Sequence, residues 1–181
     1  MIKIQSANLN GGAAANITFT SIPSTYTDLC LVFSVRSAVA GNLDQVWMQF
    51  NGDTSSNYAF SWTVGTGSAD SSNGGTSATQ IVAGYIPGST ATASTFTSSS
   101  VYIPNYAGSV AKSANMEHVF ESTTTAVTGI VGFSTGYWSG TSAINSIKLF
   151  TQSGSNLAQY CTATLYGVLK GTDGTTTTSV A

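Results

Sequence analysis

A chain of 181 residues fits one domain and is long enough to bury a full core. Charged residues make up 7%, against roughly 25% in ordinary soluble proteins, which excludes an architecture of long helices with charged outer faces. The formal net charge is −2 and the five basic residues (Lys3, Arg36, Lys112, Lys148 and Lys170) are scattered, so no basic stripe is offered to nucleic-acid phosphates.

Hydroxyls take the place of charges: the chain has 27 serines and 27 threonines. These suit pleated, half-wet strands. The first residues, MIKIQSANLNGG, lack the apolar centre of a secretory leader, and no run approaches the ~20 apolar residues of a membrane helix.

Period-two alternation recurs along the chain and predicts strands. MIKIQSANL and NITFTSI read as weak strands. In TDLCLVFSVRS, Leu29, Leu31, Phe33 and Val35 share one face, with Cys30, Val32, Ser34 and Arg36 on the other. VWMQF groups Val46, Met48 and Phe50, and YAFSWTV groups Tyr58, Phe60, Trp62 and Val64. Between these two runs, Asn51-Gly52-Asp53 predicts a hairpin tip. GTGSADSSNGGTSATQ reads as an exposed Gly/Ser loop. TQIVAGYI, STFTSSSVYI and NMEHVFE read as further weak strands. TGIVGFSTGYW sets Val127, Gly129, Val131 and Phe133 against Thr128, Ile130, Gly132 and Ser134. AINSIKLF and YCTATLYGVL close the series.

Short strands with turn signals between them predict an all-β protein, an antiparallel β-sandwich of jelly-roll-like form with about ten strands. The expected domain is residues 1–170, with an N-terminal strand or arm over 1–11. Residues 171–181, GTDGTTTTSVA, read as a Thr-rich C-terminal tail that cannot build its own core.

Little in this pattern points to catalysis. His118 is the single histidine, and alternation sets it with Met116 and Phe120, opposite Glu117, Val119 and Glu121. It reads as a satisfied structural histidine. Glu117 and Glu121 share a strand face but stand ~13 Å apart by strand rise. A retaining glycosidase needs its carboxyls about 5 Å apart. No nucleophile-elbow, phosphate-loop or zinc spacing occurs. Asn51, Asp53 and Asn57 offer oxygens to calcium, but one carboxylate falls short of the usual ligand set, so the stretch reads as a turn. Cys30 and Cys161 read as reduced core thiols, with a bridge between them as the alternative if their strands are neighbours. No metal, cofactor or enzymatic activity is expected. The remaining candidates are aromatic: Trp47, Trp62, Tyr137 and Trp138 are the residues expected to contact a glycan or an interface, with the core as the competing place for each.

Three motifs in order carry a resemblance: Ile22-Pro23 with Tyr26, then FNGDTSSNY from Phe50 to Tyr58, then Leu165-Tyr166-Gly167. Over most of residues 17 to 169 the chain resembles small β-sandwich virion proteins of tailed bacteriophages, of the marine or cyanobacterial type. That resemblance implies a structural protein on the virus particle with no catalytic residues to carry over. It implies a capsid decoration, or cement, protein at the capsid surface, binding across subunits of the major capsid protein. A tail or fibre component contacting the host surface and a carbohydrate-binding module are the alternatives. Self-association as a dimer or trimer is expected. The tail after Gly171 and the arm before Gly11 are the expected clamps, and no nucleic acid or membrane is expected as a partner.

Overall fold

The computed structural model describes residues 1–67, 69–121 and 129–169. Alternating apolar residues need two layers to close over them, and the described chain supplies two antiparallel sheets and no helix. The strands are β1 (Ile2–Asn8), β2 (Asn16–Phe19), β3 (Asp28–Ser34), β4 (Leu43–Phe50), β5 (Tyr58–Gly65) and β6 (Asp70–Ala78). They continue as β7 (Ile81–Pro87), β8 (Ser98–Ile103), β9 (Lys112–Glu121), β10 (Gly129–Trp138), β11 (Ile147–Thr151) and β12 (Thr162–Val168). Eight of them run in the order β1-β12-β3-β8-β9-β10-β5-β6, and four in the order β2-β11-β4-β7. The result is a sandwich with unequal leaves. The strand order does not establish jelly-roll connectivity.

The core lies between the leaves. Leu29, Leu31, Phe33 and Val35 from the β3 run meet Val46, Met48 and Phe50 of β4, all buried, as the alternation predicts. One cross-strand row of the large sheet runs Leu165, Leu31, Val101, Met116, Ser134. Burying a side chain such as Leu31 is worth about 1.5–3 kcal/mol. Two buried cations are held by backbone oxygens. The Arg36 guanidinium donates to the carbonyls of Ser89, Ala91, Thr92 and Thr95 and to the Thr95 hydroxyl, which ties down the chain between β7 and β8. The Lys112 ammonium donates to the Gly108 and Val110 carbonyls, and burial pulls its pKa down. Cys30 and Cys161 are free thiols: Cys161 is buried, its Sγ accepting the Arg36 N–H at 3.2 Å, whereas Cys30, expected in the core, is half-buried on the outer side of β3.

Two further expectations are corrected. The Gly/Ser segment expected as a loop contains β6, the edge strand beside β5. Its sequence has no apolar alternation to read, because the pairing is made by backbone groups that would otherwise lack partners. Gly74 and Gly75 also allow the close approach: a Cβ at either would sit about 3 Å from Phe60. The turn at Asn51-Gly52 is not a hairpin tip. Here β4 belongs to the small sheet and β5 to the large one, so the turn carries the chain between leaves. On β10, where the alternation left the two faces unassigned, Ile130, Gly132, Ser134, Gly136 and Trp138 face inward, and Val131 and Phe133 are 53% and 64% exposed. Val127 and Thr128, and the tail over 171–181, lie outside the described residues.

Candidate functional site

The polar groups of the stretch from Phe50 to Tyr58 are committed to structure. Asn51 and Gly52 have φ of 54° and 66°, the left-handed pair that an Asn-Gly turn supplies at low cost. Asn51 Oδ1 accepts the backbone N–H groups of Asn145 (2.8 Å) and Ser146 (3.1 Å), and its Nδ2 donates to the Ala143 carbonyl. The Asp53 carboxylate accepts Trp138 Nε1–H at 2.8 Å, Asn57 Nδ2–H at 2.9 Å and the Ser55 N–H at 2.9 Å. These bonds, the Trp138 one foremost, lower its pKa to about 2. The Tyr58 hydroxyl accepts the Phe50 N–H at 3.0 Å. The stretch is a latch between the sheets, gripping the segment before β11 on one side and the end of β10 on the other. Asp53 is its only carboxylate, and among the described residues no group of three or more His, Cys, Asp or Glu is placed to hold a metal.

The other two motifs are packing devices as well. Tyr26 lies on Gly167, where any Cβ would overlap its ring. Tyr106 OH donates to the Pro23 carbonyl beside it. Ile22-Pro23, Tyr26 and Gly167 therefore form one joint, at the end where β3 and β12 pair.

The four aromatic candidates are not brought together. Trp138 is 3% exposed, stacked on Tyr58 at 6.3 Å with its indole N–H on Asp53. It belongs to the core and has no ring face to offer a glycan or partner. Trp47 sits half-buried on the outer side of the small sheet, edge-on to Phe150 at 5.9 Å, its N–H on Gln45 Oε1. Trp62 points between the sheets and meets Tyr85 edge-on at 5.1 Å. Only Tyr137 stands on the outer face of the large sheet.

His118 also departs from expectation. It is 2% exposed and, among the described residues, neither ring nitrogen has a hydrogen-bond partner, nor does the nearby Ser134 Oγ. The ring fills space left by two glycines: a Cβ at Gly84 would come within 2.8 Å of it, and one at Gly132 would overlap it. Tyr85 lies alongside at 6.1 Å. Burial lowers its pKa to about 4, so the ring is neutral at pH 7. Glu117 and Glu121 are on the opposite face of β9 and cannot act with it.

The feature with no structural assignment is the outer face of the eight-stranded sheet. Val32, Tyr102, Val119, Val131, Phe133 and Tyr137 are all exposed there, on β3, β8, β9 and β10. The register places them in rows. One row is Thr164, Val32, Ser100, Glu117, Phe133 and Thr63; the next includes Ser98, Val119 and Val131. Ser100 Oγ donates to Glu117 at 2.9 Å, and Tyr102 OH donates to Asp28 at 2.6 Å. The alternation separates the two faces of β10 without saying which one is inward, so it does not reveal this face. The available signal was the small inward set, Gly132, Ser134 and Gly136, on the same strand.

Comparison with protein-family models, with curated proteins and with solved structures finds no match to this chain.

Proposed function

We propose that the protein is a structural module of a virus particle, a capsid decoration protein that docks on major capsid protein subunits through the outer face of its eight-stranded sheet. The observation that carries this reading is the group of exposed apolar side chains, Val32, Val119, Val131 and Phe133, on two adjacent rows of that face. A contiguous apolar surface rimmed by polar residues is the mark of a protein-binding site. Its size fits. Eight strands at ~4.8 Å spacing span about 34 Å, and strands of six to ten residues rise about 20–33 Å. The whole sheet face is then roughly 700–1,100 Å², enough to hold the ~800 Å² per partner of a standard interface. The order of the three motifs supports a phage origin. The paucity of charge supports lattice packing, since few charges repel. β1, at one edge of the sheet, and residues 171–181 are the segments proposed to reach neighbouring subunits, in a dimeric or trimeric assembly.

The test is occupancy on particles of the phage that encodes the chain. Wild-type protein is expected to decorate the shell, and Phe133→Ser protein to lose most of that occupancy while remaining folded. Equal occupancy of the two, or location at the tail tip, sinks the reading.

One observation favours a second reading, a carbohydrate-binding module. A shallow groove of about 500 Å³ runs beside Tyr137, floored by Ala59, Ser61, Gly74 and Gly75. Tyr137 offers a ring face to a neutral sugar there. Glycan-array binding that Tyr137→Ala abolishes, with no affinity for the shell, would favour it over decoration.

A further inference from the structure

The centre of the outer face has its own chemistry. Between Val32, Val119, Val131 and Phe133 lies a dimple of about 220 Å³ with Ser100 and Glu117 in it. Small-molecule sites run to about 300–1,000 Å³, so the dimple suits one long side chain. Apolar side chains supply most of its walls, Ser98, Ser99 and the neutral His118 ring also line it, and its one charge is a carboxylate. The Ser100 hydroxyl orients that carboxylate by holding one of its oxygens.

Docking creates a problem at Glu117. An apolar surface laid over this face would strip water from the carboxylate and leave it unpaired, at a cost of several kcal/mol. The chain's own described cations do not meet it. Arg36 and Lys112 are turned to carbonyls inside the fold, and Lys148 is on the four-stranded sheet above Phe150. Lys3 is on β1, four strands from β9, or about 19 Å. The rest of the face leans acidic, with Asp28, Asp70 and Glu121 against Lys3. A second copy seated through the same dimple would bring another Glu117 towards the first, which is repulsive.

We infer that the dimple receives a lysine or arginine side chain of the partner protein, its stem lying on Val32, Val119, Val131 and Phe133 and its head on Glu117. Long basic side chains bury their methylenes while keeping the charge at a polar group. This inference rests on the outer face being the docking surface, and it adds the chemistry of what docks.

The experiment uses two peptides, acetyl-Thr-Val-Lys-Val-Thr-amide and its counterpart with norleucine in place of lysine, titrated into isotope-labelled full-length protein. Backbone amide signals of Ser100, Glu117, Val119 and Val131 are expected to move with the lysine peptide. The norleucine peptide is expected to bind about fivefold more weakly, the size of one partly exposed charge pair. Glu117→Gln should remove that difference, and 0.5 M salt should shrink it. Phe133→Ala should weaken both peptides alike. Equal binding of the two peptides to wild type, an unchanged preference in Glu117→Gln, or shifts confined to another face would overturn the inference. Particle occupancy separates the two levels. If Phe133→Ser loses the shell while the peptides bind equally, the docking face stands and the basic partner fails. If Phe133→Ser keeps the shell, the docking face itself fails.

Discussion

On the inner face of the eight-stranded sheet, Leu31, Val101 and Met116 stand in one row, sealed by the four-stranded leaf. One residue along, on the outer face, Val32, Ser100, Glu117 and Phe133 stand in an equally well-registered row that no other described strand covers. The residue types overlap, and the difference is the cover. The inner face makes the fold. The outer face has no second leaf among the described residues, and in the function proposed above it is the part that binds. Substitutions should sort accordingly: inner ones change stability, outer ones change association.

The largest effect is expected at Trp138. Trp138→Ala removes a buried ring packed on Phe50 and Tyr58 and frees Asp53, and should cost about 3–5 kcal/mol in denaturant unfolding. A loss under about 1 kcal/mol would break the claim that the latch closes the sandwich.

His118 supplies the next. Its folded pKa is about 4, below the ordinary 6.5, so the unfolded chain takes up a proton first as pH falls. The stability it contributes is complete above pH 6.5, declines between 6.5 and 4, and is gone below 4. At about 1.4 kcal/mol per pKa unit, the loss is about 3 kcal/mol. His118→Leu should flatten that part of the curve, read as the difference between the two proteins' unfolding free energies across pH 4–7. Parallel curves would show that the ring is solvated.

A smaller effect is expected at Asp53, with the opposite charge logic and the same sign. Its pKa is lowered to about 2 from 3.8, so its contribution is present above pH 3.8 and fades as pH falls towards 2. The group is partly exposed, so Asp53→Asn should cost only about 1 kcal/mol at pH 7. The smallest stability change is expected outside. Val131→Ser and Phe133→Ser should stay within about 0.5 kcal/mol of wild type.

Much of the fold was legible because a sandwich writes itself as alternation. Leu29 to Val35 and Val46 to Phe50 could be assigned to a buried face without knowing their partners. What stayed hidden was non-local or carried by the backbone. Asn51-Gly52 announces a turn, but nothing nearby says that β4 and β5 enter different sheets. Asp70 to Ala78 pairs through backbone groups and leaves no side-chain pattern. On β10, Gly132 and Gly136 face inward because side chains from elsewhere fill the space above them, the His118 ring against Gly132 and the Ile81 side chain against Gly136. Alternation alone therefore leaves the orientation of that strand open, and it does so at residues that build the candidate docking face. Trp138 was singled out for its type, and its place in the core depended on Asp53, 85 residues away.

Imaging of the native particle by electron microscopy, at a resolution that shows strands, tests the central claim most directly. The account predicts the eight-stranded sheet lying against capsid subunits, with Val32, Val131 and Phe133 covered and the four-stranded sheet facing solvent. Density at the tail tip, or on the shell with Phe133 turned outward, would contradict it.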